Sequence, residues 1–340
     1  MTDPSLLEHL VAAHLGGPRA GWLVAALDLH PALVAPRPGE AAPRAVVAQA
    51  LGVLLLDDLL ARVPSGAEYA QDRVGAGHRL HLDHGAVRTV RGVACGALAE
   101  GQASLTRVLE PLGYRQRYTY DLSRLRMTGR SWCHADLPEH VVQYFVSELH
   151  ADRFTPGFAS VTARVLATSR DPLWGTAPAH LDRLAGQGWL APGEAEELLP
   201  VLVACFRRHH DLPSVADYEA LLAESDEMAW ISTEGTSFNH ATDRVDDVVA
   251  VAEHERAAGR PIKDKVEVSA SGRIVQTAHR AAEVTYDLPD GRGATVSRTV
   301  PGSFFELITR HPLPDGTGLD LAFDAANAQQ IFAMTNATRL

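Results

Sequence analysis

One acidic residue stands in the middle of an apolar run, Ser303-Phe-Phe-Glu-Leu-Ile-Thr-Arg310. The aromatic and branched residues predict a strand. On it Phe304, Glu306 and Ile308 share one face, and Phe305, Leu307 and Thr309 the other. Glu306 therefore goes into the interior with its neighbours. A buried carboxylate is costly unless a cation meets it. A salt bridge to Arg310 or another arginine is the ordinary solution. A metal ion held by further ligands from distant parts of the chain is the other.

Two histidines qualify as such ligands. From His78 to Arg91 the pattern is extended, with His78, Leu80, Leu82, His84, Ala86 and Arg88 on one parity. Gly85 beside His84 permits an unusual backbone angle or a close approach. His84 and Arg88 then point the same way, and an imidazole with a guanidinium is a grip for a carboxylate bound to a metal. The second is His240, in Glu234-Gly-Thr-Ser-Phe-Asn-His240, just after the apolar cluster Met228-Ala-Trp-Ile231, which reads as a strand. Two neutral imidazoles and one carboxylate with open positions suit a non-haem Fe(II) centre, although zinc or manganese can occupy the same ligands.

The rest of the chain reads as an α+β protein. Residues 1–74 predict helices, with an apolar helix over 45–63 and a loop at Pro31, Pro36, Pro38 and Pro43. Residues 75–174 carry a helix at 103–112, strands at 114–122 and up to 133, and an amphipathic helix at 138–149. Residues 175–229 read as a helical insertion, in which Arg207-Arg-His-His210 and Glu196-Glu197 form solvated faces and Trp174 and Trp189 pack. Residues 230–340 carry a helix at 245–258, closed by Gly259-Arg-Pro261. Strands follow at 266–272 and 273–279, then a hairpin of 283–288 with 294–300 turning at Pro289-Asp-Gly291. The strand with Glu306 comes next, and a last helix is predicted over 325–334. The two strand-rich parts echo each other as a duplicated βαβββ arrangement.

Composition excludes several partners. The net charge is −11 and no basic tract stands out, so neither nucleic acid nor an anionic membrane surface is an expected partner. Cys95, Cys133 and Cys205 are far apart and odd in number, which fits reduced thiols in a cytoplasmic protein. The start, Met1-Thr-Asp-Pro4 with Glu8 and His9, is unlike a signal peptide. The apolar run 51–56 is too short to span a bilayer. Nothing in the sequence sets an oligomeric state.

Taken in order, His84-Gly-Ala-Val-Arg88, Tyr120-Asp-Leu-Ser123, Phe238-Asn-His240 and Phe304-Phe-Glu306 resemble the 2-oxoadipate dioxygenase/decarboxylase (hydroxyglutarate synthase) family over residues 75–335. The run Phe304 to Arg310 and the stretch Ser271-Gly-Arg-Ile-Val-Gln-Thr277 are also similar to 4-hydroxyphenylpyruvate dioxygenase. The resemblance implies a fold like that of the vicinal oxygen chelate superfamily: a β-barrel with N-terminal helices and a helical insertion. It implies Fe(II) held by His84, His240 and Glu306, with Arg88 on a substrate carboxylate. Gln276, Ser269 and Asn239 are read as groups that orient ligands or touch substrate. The implied reaction takes a 2-oxo acid and dioxygen, with 2-oxoadipate giving 2-hydroxyglutarate and carbon dioxide in lysine catabolism. Two other readings stay open: a zinc or manganese isomerase, lyase or hydrolase of the same fold, and a non-catalytic small-molecule binding protein.

Overall fold

The computed structural model describes residues 4–324 and 333–335. The first five helices are α1 (Leu6–Leu15), α2 (Gly17–Ala26), α3 (Pro31–Val34), α4 (Arg44–Arg62) and α5 (Pro64–Gly75), with a short strand β1 (Ala42–Pro43) before α4. Then come β2 (Leu82–Arg91), α6 (Ala103–Leu109), β3 (Tyr114–Leu122), β4 (Met127–His134) and β5 (Gln143–His150). A helical stretch follows: α7 (Pro156–Leu166), α8 (Ala177–Gln187), β6 (Trp189–Leu190), α9 (Pro192–Ala204), α10 (Val215–Leu222) and α11 (Asp226–Glu234). The chain continues through β7 (His240–Arg244), α12 (Val248–Ala257), β8 (Glu267–Val268) and β9 (Ile274–Ala278). The last strands are β10 (Glu283–Pro289), β11 (Thr295–Pro301) and β12 (Phe304–Arg310). The helix expected over 325–334 falls mostly outside the described residues.

Eight strands make one sheet in the order β3-β4-β5-β2-β7-β12-β9-β8. Its symmetry is plain in the order. In each half a strand and a helix are followed by three strands, and the last of these pairs in parallel with the first: β5 with β2, β12 with β7. The halves meet where β2 runs antiparallel to β7. The long hairpin β10–β11 interrupts the second repeat as a separate sheet.

One face of this sheet is covered by α4 and α5. Helix α4 is apolar nearly all round and buried nearly all round, as a central helix must be. Gly52 lets it come so close to the residue before β5 that a Cβ there would lie 2.7 Å from the Val142 side chain. Gly66 gives α5 the same approach to Phe305, 2.9 Å from its Cβ. Phe305 and Leu307 thus point into the helical core, whereas Phe304 and Glu306 point to the other face, where the sheet curls round a cavity. Helix α9 lies on α1 and α4, α8 packs against α9, and β1 pairs with β6.

Several expectations need correction. Residues 138–149, predicted as an amphipathic helix, hold all but the last residue of strand β5. All eight of its residues are buried, and a strand covered on both faces leaves no period to read. The cluster Met228 to Ile231, read as a strand, lies in helix α11. Ser225 caps that helix by accepting from Met228 N (3.1 Å), and Asp226 and Glu227 fill its first turn. Trp174 and Trp189 do not pack: they are 70% and 44% exposed. His210 is not on a solvated face: it is buried, with Nε2 hydrogen-bonded to Ser232 O at 3.0 Å.

Gly85 is the tightest approach in the sheet. A Cβ there would lie 2.0 Å from the Phe238 ring and 2.6 Å from His240 O, and the second neighbour is backbone that cannot turn aside. Gly85→Ala should therefore destabilise the protein by about 2–3 kcal/mol, the cost of overpacking a core. Urea unfolding measures it, and an unshifted midpoint would show that the two strands are not so tightly joined.

Candidate metal centre

The central strands deliver the three side chains that the sequence singled out. Thr242 on β7 stands opposite His84 of β2 on one side and opposite Glu306 of β12 on the other. His240, two residues before Thr242, shares its face, so all four side chains reach the same side of the sheet. One ligand atom from each of His84, His240 and Glu306 lies within 4.8 Å of the others. Glu306 Oε2 is 3.5 Å from His84 Nε2 and 3.3 Å from His240 Nε2. The two imidazole rings stand edge to face, 5.5 Å apart.

Each imidazole is placed by a different device. His84 Nδ1 donates to Asp83 (2.8 Å), an acceptor that keeps the proton on that nitrogen and leaves Nε2 for the cluster. Asp83 is gripped in turn by Arg310, whose Nε reaches both carboxylate oxygens at 3.0 Å. Burial pushes the Asp83 pKa up, but Arg310 and then His84 outweigh it and hold the group well below the usual carboxylate range. Arg310 therefore pairs with Asp83, and not with Glu306 as one sequence reading had it. The remaining guanidinium arm donates to the carbonyls of Asp320 and Ala322, both at 2.8 Å. This brings Phe323 edge-on to His84 at 4.7 Å.

His240 is instead held by backbone and stacking. Asn239 N donates to Ala86 O (2.9 Å) and Phe304 N to Asn239 O (3.1 Å), and the imidazole stacks on Phe304 at 4.7 Å. Neither of its ring nitrogens has a hydrogen-bond partner among the described residues. Burial lowers its pKa to about 3 against the pull of Glu306, so the ring is neutral with a lone pair to give. Burial works on Glu306 in the opposite direction, but His84 and His240 outweigh it and keep that carboxyl ionised. A buried anion beside two imidazoles, one with no hydrogen bond, is a donor set that a divalent ion completes.

The cluster opens on a pocket whose empty space, its open mouth included, is about 490 Å³. Arg88 lines its wall on the same face of β2 as His84, with Cα atoms about 13 Å apart at strand spacing. Asn239 and Gln276 also line it, and the Asn239 Oδ1 is buried without a partner among the described residues. Ser269 does not reach the cavity: its hydroxyl accepts from Ile274 N (3.1 Å) and serves the turn between β8 and β9. Phe145, Phe304 and Phe323 supply the apolar wall.

Sequence reading missed four contributors: Asp83, Thr242, Phe323 and Glu227. Glu227 sits on α11 with Oε2 2.7 Å from Arg88 Nη1. The Ser225-Asp-Glu run is a helix-start signal and could have revealed α11, but not where its carboxylate points.

A duplicated βαβββ sheet holding a buried His-His-Glu cluster at its junction is a vicinal-oxygen-chelate-like fold with a candidate metal centre. Residues 51–335 match the sequence profile of the 2-oxoadipate dioxygenase/decarboxylase family, to which the chain therefore belongs. A Ralstonia eutropha JMP134 protein described as a glyoxalase superfamily member is 47% identical, with 94% of this chain and 98% of that one covered and a TM-score of 0.89. Hydroxyglutarate synthase from Oryza sativa, solved with 2-oxoadipate, shares the fold at 18% identity, with 89% and 97% of the chains covered and a TM-score of 0.67. The Pseudomonas putida hydroxyglutarate synthase, also solved with 2-oxoadipate, shares it at 22% identity, 86% and 73% coverage and a TM-score of 0.59. No curated protein matches the chain in sequence. No helix among the described residues is long and apolar enough to cross a membrane.

The Asp83 carboxylate should matter beyond its own pair. Asp83→Asn leaves Arg310 buried with an uncharged partner and gives His84 a neutral amide oxygen, a weaker acceptor, in place of the carboxylate. Divalent-metal affinity, measured by titration with Co(II), should fall about 10- to 100-fold. Affinity equal to that of the wild type would mean that Asp83 serves the fold alone.

Proposed function

We propose that this enzyme is an Fe(II)-dependent dioxygenase that decarboxylates and hydroxylates a 2-oxo acid, with 2-oxoadipate as substrate and 2-hydroxyglutarate and carbon dioxide as products. The observation that carries the reading is the buried cluster of His84, His240 and Glu306 facing one cavity with an arginine in its wall. Two imidazoles and one carboxylate would leave open positions on a divalent ion, a donor set that suits Fe(II). Bound there, Fe(II) would chelate the 2-oxo carboxylate and supply electrons to dioxygen.

The chain's own residues set the conditions for that chemistry. The Asp83–His84 hydrogen bond fixes which imidazole nitrogen faces the metal. Arg88 holds a substrate carboxylate by a charge-assisted pair in a dry wall, where such a pair is strongest. Asn239 and Gln276 offer amide groups to the substrate's polar atoms. Phe145, Phe304 and Phe323 exclude water from the reacting carbon. Substrate and dioxygen alone balance the products, so no second organic reductant needs a place. The reading puts the enzyme in lysine catabolism. A reducing cytoplasm suits its three buried free thiols, Cys95, Cys133 and Cys205.

Oxygen uptake on adding Fe(II) and 2-oxoadipate, with the product identified by mass, tests the proposal. Background uptake across a panel of 2-oxo acids would reject it in favour of a redox-inert metal enzyme or a binding protein. His84→Ala, His240→Ala and Glu306→Ala should each lose stoichiometric metal. Arg88→Ala should keep its metal and lose about 100-fold or more in kcat/KM, the cost of removing a charged partner from a buried anion. Unchanged kinetics in Arg88→Ala would dismiss its role.

A further inference from the structure

We propose that Glu227 is a positioning residue for substrate: it holds Arg88 in the empty cavity and takes a proton from solvent when a substrate carboxylate docks on that guanidinium. The inference rests on the reading of Arg88 as the carboxylate-binding group.

Arg88 is clamped before any substrate arrives. Its Nη1 lies 2.7 Å from Glu227 Oε2, with both side chains almost wholly buried. Its Nη2 donates to Thr335 Oγ1 at 2.8 Å. Trp230, one turn along α11 from Glu227, lays its ring 4.4 Å from the guanidinium carbon, and its own Nε1 donates to Gly302 O at 3.2 Å. The cation therefore keeps one orientation towards the cavity.

The charges around it create the problem that Glu227 solves. Glu234, further along α11, also acts on Arg88, and its carboxylate accepts from Tyr286 Oη on β10 at 2.7 Å. A docked substrate would bring a third carboxylate to a single guanidinium in a wall with little water. Uncompensated buried charge of that kind costs several kcal/mol. Neutralising one carboxylate removes the conflict. Burial raises the Glu234 pKa as well, but the Tyr286 hydroxyl and then Arg62, Arg208 and Arg88 work against it, and the hydrogen bond from Tyr286 favours its ionised form. Glu227 is the easier one to protonate. Burial raises its pKa to about 7, with Arg88 lowering it and Asp226 raising it. It also borders a surface groove with Arg124, Arg126, Glu224 and Asp226, through which a proton can come from solvent. The step is a proton transfer to the Glu227 carboxylate, with no other bond made or broken.

The sign follows from linkage. A carboxylate arriving at Arg88 raises the Glu227 pKa further, so above about pH 7 binding must take up a proton and affinity falls as pH rises. Below that pH, Glu227 is already protonated in the empty site and the dependence flattens. The test is calorimetric titration of anaerobic Fe(II)-loaded protein with 2-oxoadipate, in buffers of different ionisation enthalpy. Near pH 8 the wild type should take up about one proton more per substrate than Glu227→Gln, and that excess should vanish near pH 6. The wild-type Kd should weaken about tenfold per pH unit above neutrality, and that of Glu227→Gln should stay flat. Glu227→Asp should restore the pH dependence. Equal proton uptake by wild type and Glu227→Gln, with binding intact, overturns the inference. Should Glu227→Gln not fold, wild-type proton uptake that is the same near pH 6 and pH 8 overturns it as well. Unchanged 2-oxoadipate affinity in Arg88→Ala overturns instead the reading on which it stands.

Discussion

The antiparallel pairing of β2 with β7 is the interaction on which the site depends. Each half of the sheet is a strand-helix-strands unit, yet neither half contains the whole cluster. His84 comes from the first half, His240 and Glu306 from the second, and only the register that sets Thr242 opposite both His84 and Glu306 brings them together. Side chains alternate along a strand, so a slip of one residue in either pairing would send one ligand into the helical layer. Gly85 secures that register by letting the Phe238 ring and the His240 carbonyl come closer than any side chain allows. Arg62 ties the approach to β7 to the approach to β12, donating to Phe238 O at 3.0 Å and to the Ser303 hydroxyl.

Around this junction the protein buries charge in short chains, each ending at the cavity. One runs from the carbonyls of residues 320 and 322 through Arg310 and Asp83 to His84. The other runs from α11 through Glu227 to Arg88. Neither is an efficient way to stabilise a fold, because desolvation consumes most of the Coulombic gain. Their value is orientation: each presents a polar group to the cavity in one geometry and pays for it with hydrogen bonds behind. The first chain also ties the Phe323 wall to the ligand it covers, so the shape of the cavity and the direction of His84 depend on one guanidinium.

The features legible in the sequence were those whose chemistry is local. Glu306 in an apolar strand, His84 and Arg88 on one parity, the hairpin turn at Pro289-Asp-Gly291 and the Gly259-Arg-Pro261 stop after α12 could each be read from neighbouring residues. What escaped was set by tertiary burial. Strand β5 looked helical because both of its faces are covered, and α11 looked like a strand because its apolar residues are consecutive. Arg310 was one of the arginines offered as an alternative partner for Glu306, its near neighbour in sequence, but the sheet aims its side chain at Asp83. Glu227 was invisible because a buried carboxylate in a first helical turn resembles an ordinary capping acid. Ser269 shows the opposite error: polar and close to the strands that count, it is spent on a turn.

The central claim is that one divalent ion sits between His84, His240 and Glu306 in contact with the cavity. Anomalous scattering from crystals of the Fe(II)-loaded protein, recorded on both sides of the iron absorption edge, addresses it most directly. The account predicts one strong peak about 2.0–2.2 Å from an imidazole nitrogen of each histidine and a carboxylate oxygen of Glu306. A peak bound elsewhere, or a fully loaded protein with no density between those three side chains, would contradict it.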